Sequence, residues 1–221
     1  MGEIPTLVIG NKLYSSWSLR PWLLMRHFGL PFQEVEILLG NPDSKELARR
    51  YGPSGLVPVL HAGDIVAWES LAILQTISEM HPEIQVWPKD PVARALARSM
   101  AAEMHAGFTS LRKGCPMNLG KRFAAKDRGE AVAQDVARIE SMWAEARQRF
   151  GKGGPFLFGA FGAVDAMYAP VVTRFAHYSL PASATTRATI DPLLAPPPYP
   201  PGLPATLSET GAISSFGVHE C

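Results

Sequence analysis

Apolar and polar positions follow two different periods along this chain, and the change from one to the other divides it. Residues 6–9 form a short unbroken apolar run, which predicts a strand. Residues 18–28 read as a helix that is stopped by Gly29. Over 33–37 the pattern alternates, with Val35 and Ile37 on one side and Glu34 and Glu36 on the other, so a second strand is expected. A short helix is predicted over 43–51, with Asn41 or Asp43 as its cap and Pro42 near its start. Residues 57–60 and 65–68 read as strands flanking the turn Ala62-Gly63-Asp64. Residues 69–80 are helical again and end at His81-Pro82. The order β-α-β-α-β-β-α predicts a mixed sheet. Its first two strands would run parallel through a helical crossover, and its last two would be antiparallel.

From about residue 90 the spacing is helical throughout. Ala97, Ala101, Met104, Phe108, Leu111 and Cys115 form one stripe, and Val132, Val136, Ile139, Trp143, Ala146 and Phe150 another. Each predicts one long helix. A third is expected over 163–178, with Val164, Met167, Tyr168, Val171, Val172 and Phe175 as its core positions. Residues 88–91 are the expected linker. The predicted divisions are therefore an α/β domain over 1–85, an all-α domain over 91–180 and a tail over 181–221. That tail has eight prolines in 41 residues and four formally charged side chains. It reads as irregular or polyproline-like, since Pro196-Pro197-Pro198 and Pro200-Pro201 forbid a regular helix there. The abrupt change from helical stripes to proline-rich sequence predicts an altered C-terminus, such as a frame-shifted or truncated product.

With 221 residues, 47% hydrophobic and 19% charged, the chain can bury a core in each half. A formal net charge of +1 and the lack of a long basic run argue against nucleic acid or an anionic membrane as partner. The most apolar stretch, 154–172, holds Asp165 and several glycines, so it reads as a buried helix rather than a membrane span. No signal peptide is read at the N-terminus. Cys115 and Cys221 cannot form a disulfide framework and fit no metal-ligand spacing, which points to a reducing, cytoplasmic setting and no metal.

The chemistry concentrates in Tyr14-Ser15-Ser16-Trp17-Ser18-Leu19-Arg20, where a strand feeds a helix. A helix N-terminus presents unpaired N–H groups and a positive dipole end, so hydroxyls placed there can stabilise an anion such as a thiolate. Simple N-capping is the plainer account of the same serines. Three further stretches accompany them: Gly55-Leu56-Val57-Pro58-Val59-Leu60, Glu69-Ser70-Leu71-Ala72-Ile73, and the run from Phe156 to Ala166 that ends in Gly162-Ala163-Val164-Asp165-Ala166.

Taken in this order, over roughly residues 5–178, these features resemble the glutathione transferase family. The resemblance implies an α/β thioredoxin-like N-terminal domain, an all-α C-terminal domain and, from the family alone, a homodimer. Ser15-Ser16-Trp17-Ser18-Leu19-Arg20 is similar to the Ser-Ser-Cys-Ser-x-Arg run of the zeta class. This implies that Ser15 or Ser16 donates to the sulfur of glutathione as co-substrate. Trp17 stands where that class has cysteine, so disulfide-exchange chemistry is not expected. The resemblance also implies a cis Val57–Pro58 bond, with the Val57 backbone pairing the cysteinyl unit of glutathione. Ser70 would bind its γ-glutamyl carboxylate, and Glu69 would meet the α-ammonium. In the fourth motif Gly162 replaces the usual capping Ser or Thr, and Asp165 reads as structural. Tyr14, His105, Phe108 and Arg112 are the candidates for the electrophile side. The implied activity is conjugation of glutathione to a small hydrophobic electrophile, of the kind used in detoxification. Two alternatives stand beside it: an isomerase of the maleylacetoacetate type, and a non-catalytic binding module.

Overall fold

The computed structural model describes residues 3–194. In the N-terminal half the elements follow in the predicted order: β1 (Thr6–Gly10), α1 (Ser16–His27), β2 (Gln33–Ile37), α2 (Ser44–Arg49), β3 (Val59–Ala62), β4 (Ile65–Trp68) and α3 (Ser70–Met80). The sheet order is β2-β1-β3-β4, with β1 parallel to β2 and β3 antiparallel to both β1 and β4. Alternation along each strand decides which core each residue joins. Leu7, Ile9 and Leu60 are buried with Leu23 and Leu24 of α1 and Ile73 and Ile77 of α3. Val8, Ile37 and Val59 meet Ala48 of α2 in a second cluster. β3 opens at Val59, two residues later than the pattern predicts, because Pro58 has no N–H to give a ladder.

The C-terminal half is helical: α4 (Pro91–Ala106), α5 (Thr109–Gly114), α6 (Glu130–Phe150), α7 (Ala163–His177) and α8 (Ala184–Leu194). Its core joins that of the N-terminal half. Two expectations are corrected here. The stripe from Ala97 to Cys115 is two helices, not one. Gly107 leaves the helix in an extended conformation, and Phe108 takes a left-handed one at φ 57°. A glycine is a weak helix former and gives the chain a place to turn. The new turn is then caught from α6, whose Asp135 carboxylate accepts the Leu111 N–H at 2.8 Å.

The second correction concerns the segment read as irregular. It opens with a helix, α8. Ser183 Oγ caps it by accepting the Thr186 N–H at 3.2 Å, and Glu140 of α6 takes both the Ser183 N–H and the Thr186 hydroxyl. Ile190 and Leu193 are buried. The proline runs that forbid a helix begin only at Pro196, beyond α8, and the remainder of the tail lies outside the described residues.

Asp165 is the structural group that the sequence implies. It is buried at the start of α7, where Oδ1 accepts the Leu157 N–H at 3.0 Å and Oδ2 the Gly162 N–H at 2.9 Å. The missing Ser or Thr at 162 has a steric cause: a Cβ there would lie 2.8 Å from the Val86 carbonyl oxygen. That carbonyl already accepts the Ala163 N–H at 2.8 Å. Gly162→Ser should therefore destabilise the protein by about 1 kcal/mol, although a serine cap on its own contributes favourably. The denaturant midpoint of the variant measures this.

Candidate active site

The loop between β1 and α1 is folded on Asn11. Its carbonyl accepts the Tyr14 and Ser15 N–H groups at 3.0 and 2.8 Å, and its Oδ1 accepts the Leu39 N–H at 2.7 Å. Ser15 is thereby set at the N-cap of α1. Its hydroxyl donates to Ser18 Oγ at 2.8 Å, while Gly10 N–H donates to the same Ser18 oxygen at 3.0 Å. The Ser18 N–H reaches back to Ser15 Oγ at 3.4 Å. Hydroxyl protons rotate freely. With Gly10 holding one lone pair of Ser18, the Ser18 proton can turn to Ser15, and the Ser15 proton is released towards a ligand. A chain of donors of this kind strengthens its last member. Gly10 belongs to the arrangement, since a Cβ there would come within 2.7 Å of Leu39 Cδ1 and 3.1 Å of Ser15 Cβ. Ser16 is the first residue of α1 itself and is buried.

Val57–Pro58 is cis. The antiparallel register pairs Val8 with Val59, so Val57 and Pro58 lie immediately before the strand that runs beside β1. Glu69 precedes α3 at φ 69°, a backbone conformation that costs a non-glycine residue about 1–3 kcal/mol and is found mostly at functional sites. Ser70, the first residue of α3, is fully buried and accepts from Arg20 Nη1 at 3.1 Å. The same guanidinium donates through Nε to the Met167 carbonyl at 3.2 Å, in the part of α7 disturbed by Pro170. Arg20 is 1% exposed. It thus ties the first turn of α3 to α1 and α7, and it puts a fixed positive charge beside Ser70.

Two of the electrophile-side candidates, His105 and Arg112, gather near Glu69 through Trp17. The Trp17 ring lies 4.3 Å from the Arg20 guanidinium carbon and 5.1 Å from that of Arg112, with the His105 ring edge-on at 5.2 Å. Arg112 Nη1 donates to the His105 carbonyl at 3.4 Å. His105 Nε2 is 3.5 Å from Glu69 Oε2. Burial lowers the His105 pKa first, then the nearby Arg20 charge; Glu69 opposes the shift and Arg112 adds to it. His105 is thus held neutral to lower pH than an ordinary histidine. Phe108 goes elsewhere: at 7% exposure it belongs to the core with Met104 and Leu111. Tyr14 is half-buried one residue before the cap. Glu69, Leu71, Gln75, Trp87, Arg98 and His105 line an open cavity of about 470 Å³ between α3 and α4. Ser18 and Arg20 were not among the sequence candidates. The signal for Arg20 was present, as one charge set among Leu19, Pro21, Trp22, Leu23 and Leu24. Ser18 carried none beyond its place in the serine run.

Among the described residues no helix is long and apolar enough to cross a membrane, and no group of three or more His, Cys, Asp or Glu side chains is placed to hold a metal ion.

Comparison with known proteins bears on this geometry. The model of the glutathione S-transferase N-terminal domain matches residues 14–80, and that of the C-terminal domain matches residues 129–200, a range that takes in α8. A rice protein named probable glutathione S-transferase GSTU6 is 33% identical over 173 residues, which cover 74% of this chain and 69% of that one. A Caenorhabditis elegans protein named probable maleylacetoacetate isomerase is 30% identical over 96 residues. That match spans 43% of this chain and 44% of the nematode protein, less than half of each. In fold, the chain is similar to the crystal structure of a Burkholderia glutathione transferase homolog with bound glutathione. The TM-score is 0.71 at 19% identity, over 94% of this chain and 100% of that one.

Proposed function

The chain belongs to the glutathione S-transferase family, and on that premise we propose that it binds glutathione at the openings of α1 and α3 and adds the sulfur to a small hydrophobic electrophile. The observation that carries this reading is the Ser15 hydroxyl, set at the N-cap of α1 and backed by Ser18 and Gly10. A free thiol with a pKa near ~8.5 is mostly protonated at neutral pH. A hydroxyl donor and a helix N-terminus both favour the thiolate, and each pKa unit corresponds to about 1.4 kcal/mol. The thiol proton passes to solvent, and the thiolate attacks the electrophilic carbon; as the C–S bond forms, either a leaving group departs with its bonding electron pair or, at an activated double bond, the π pair shifts to the adjacent atom, which takes a proton from solvent. Ser70 and its N–H receive the γ-glutamyl carboxylate, with Arg20 behind them, and Glu69 meets the α-ammonium. The Val57 backbone pairs with the cysteinyl unit as an added strand would.

A second reading is isomerisation of a maleylacetoacetate-type substrate. It draws on the nematode relative's name and on Arg112 beside Trp17, a cation that suits an anionic substrate. A cytoplasmic homodimer completes the proposal, with the partner against the edge strand β4, where Val66 and Trp68 share one exposed face.

The test is titration of bound glutathione by its ultraviolet thiolate absorbance, followed by a conjugation assay. The sulfur should ionise about 2 pKa units below free glutathione. Binding with an unshifted sulfur and no turnover would overturn the enzymatic reading in favour of a ligand-binding module. Glu69→Gln should raise KM for glutathione about tenfold with kcat little changed, since it weakens ground-state binding of a group remote from the sulfur.

A further inference from the structure

Residues 115–123 have no regular secondary structure, yet their backbone is tied down almost residue by residue. Arg128 Nη1 donates to the Gly114 carbonyl at 3.0 Å, Arg174 Nε to that of Cys115 at 2.8 Å, and the Tyr178 hydroxyl to that of Pro116 at 2.6 Å. His177 Nδ1 lies 2.8 Å from the Asn118 carbonyl and 2.9 Å from that of Lys121, so its proton sits on Nδ1. Phe123 returns a bond, N–H to the His177 carbonyl at 2.7 Å, and its ring stacks on Tyr178 at 4.3 Å. Arg174 and His177 stand in the last turn of α7 and Tyr178 is its C-cap, while Arg128, just before α6, packs its guanidinium over the Tyr178 ring at 4.5 Å. The segment then crosses to the N-terminal half, where Leu119 N–H donates to the Leu13 carbonyl at 3.1 Å. Leu13 lies two residues before Ser15. The serine loop is therefore held at Asn11 through Leu39, at Lys12 through its ion pair with Glu34 at 2.7 Å, and at Leu13 through this segment.

We propose that residues 115–123 are a strap by which the end of α7 sets the position of the Ser15 hydroxyl, and that Tyr178 and Arg128 are positioning residues for the reaction. The inference rests on the reading of Ser15 as the thiolate donor. A sub-ångström drift of the loop lengthens the bond from Ser15 to sulfur but leaves Glu69, Ser70 and Val57 where they are, because those residues stand on other elements. The strap thus acts on the sulfur and not on the binding of glutathione as a whole. Small misplacements of this kind have large effects on rate.

The experiment uses the full chain with Tyr178→Phe, which deletes one hydroxyl and keeps the ring stack, and Arg128→Met, which deletes the bond to Gly114 and keeps an apolar stem. Three quantities are compared: thermal midpoint, KM for glutathione, and the pKa of bound glutathione sulfur. The expected result in both variants is a sulfur pKa raised by about one unit, with kcat at neutral pH about tenfold lower. KM for glutathione should stay within about twofold of the original protein. If the thermal midpoint falls while sulfur pKa and kcat stay put, the strap is only structural and the proposal is overturned. A rise in KM in step with the fall in kcat overturns it as well. An unshifted sulfur in the unmutated protein would instead remove the Ser15 reading beneath it.

Discussion

Ser15→Ala should lower kcat/KM for conjugation about a hundredfold, the usual consequence of removing one donor from a developing or held anion. The variant should also move the pH–rate profile. The thiolate is the reactive form, so activity in the unmutated protein rises with pH through the depressed sulfur pKa and then levels off. Without the hydroxyl that rise should shift towards ~8.5, the value for a free thiol. Because alkaline pH restores much of the loss, the deficit can be told apart from misfolding. Stability should fall as well, by about 1 kcal/mol, since Ser15 Oγ is the N-cap of α1. Ser16→Ala should cost only a few-fold, because Ser16 lies within the helix and the Gly10–Ser18–Ser15 chain does not run through it. If Ser16→Ala were the damaging change and Ser15→Ala the mild one, the assignment of the donor would be wrong.

Asp165→Ala should cost about 3 kcal/mol of folding stability, read from the denaturant midpoint at constant slope. The carboxyl holds two backbone donors, Leu157 N–H and Gly162 N–H, in a site that is 1% exposed. With the side chain gone, both are left buried without a partner, and each such group costs about 1–3 kcal/mol. The same carboxyl makes stability depend on pH. Burial pushes its pKa up to about 7, against the pull of those two N–H groups and of Arg147. The sign follows from the protons bound in each state. Between about pH 4, where the unfolded carboxyl ionises, and pH 7, the native state holds a proton that the unfolded chain has released. This contribution is therefore complete below about pH 4 and is lost as pH rises through about 7. Asp165→Ala should lack that slope. A flat profile in the unmutated protein, or one that rises over this window, would show that the carboxyl is already ionised in its pocket.

Much of this was legible beforehand in the pattern of side chains. The βαβαββα order, the parallel and antiparallel pairings and the later helices all follow from spacing and from turn residues. The two misreadings have local causes. Gly107 sits inside an apolar stripe that keeps its helical phase, so the stripe reads through the break; only Asp135, reaching in from α6, shows that a new helix starts at Thr109. The prolines that forbid a helix start only at Pro196, and α8 ends before them, with its own signal in the Ser183 cap and the spacing of Ile190 and Leu193. Gly162 reads as a lost cap in sequence. In space it is a close approach to Val86 that leaves no room for one.

The candidate site divides in the same way. The types of residue it needs stand in short, readable stretches: serines before a helix, Val-Pro before a strand, Glu-Ser opening another helix. Their family could be read from those stretches because a cap, a proline or a helix start is decided by neighbours within a few residues. What no stretch contains is the distance between them. Sheet register pairs Val8 with Val59, just past Val57 and Pro58, and a buried arginine joins Ser70 to α1 and α7. The left-handed turn at Phe108 separates Arg112 from the helix of His105, yet both converge on Trp17. Those relations depend on contacts between residues up to 147 positions apart. Local periodicity carries no information about such pairs, and packing alone chose them.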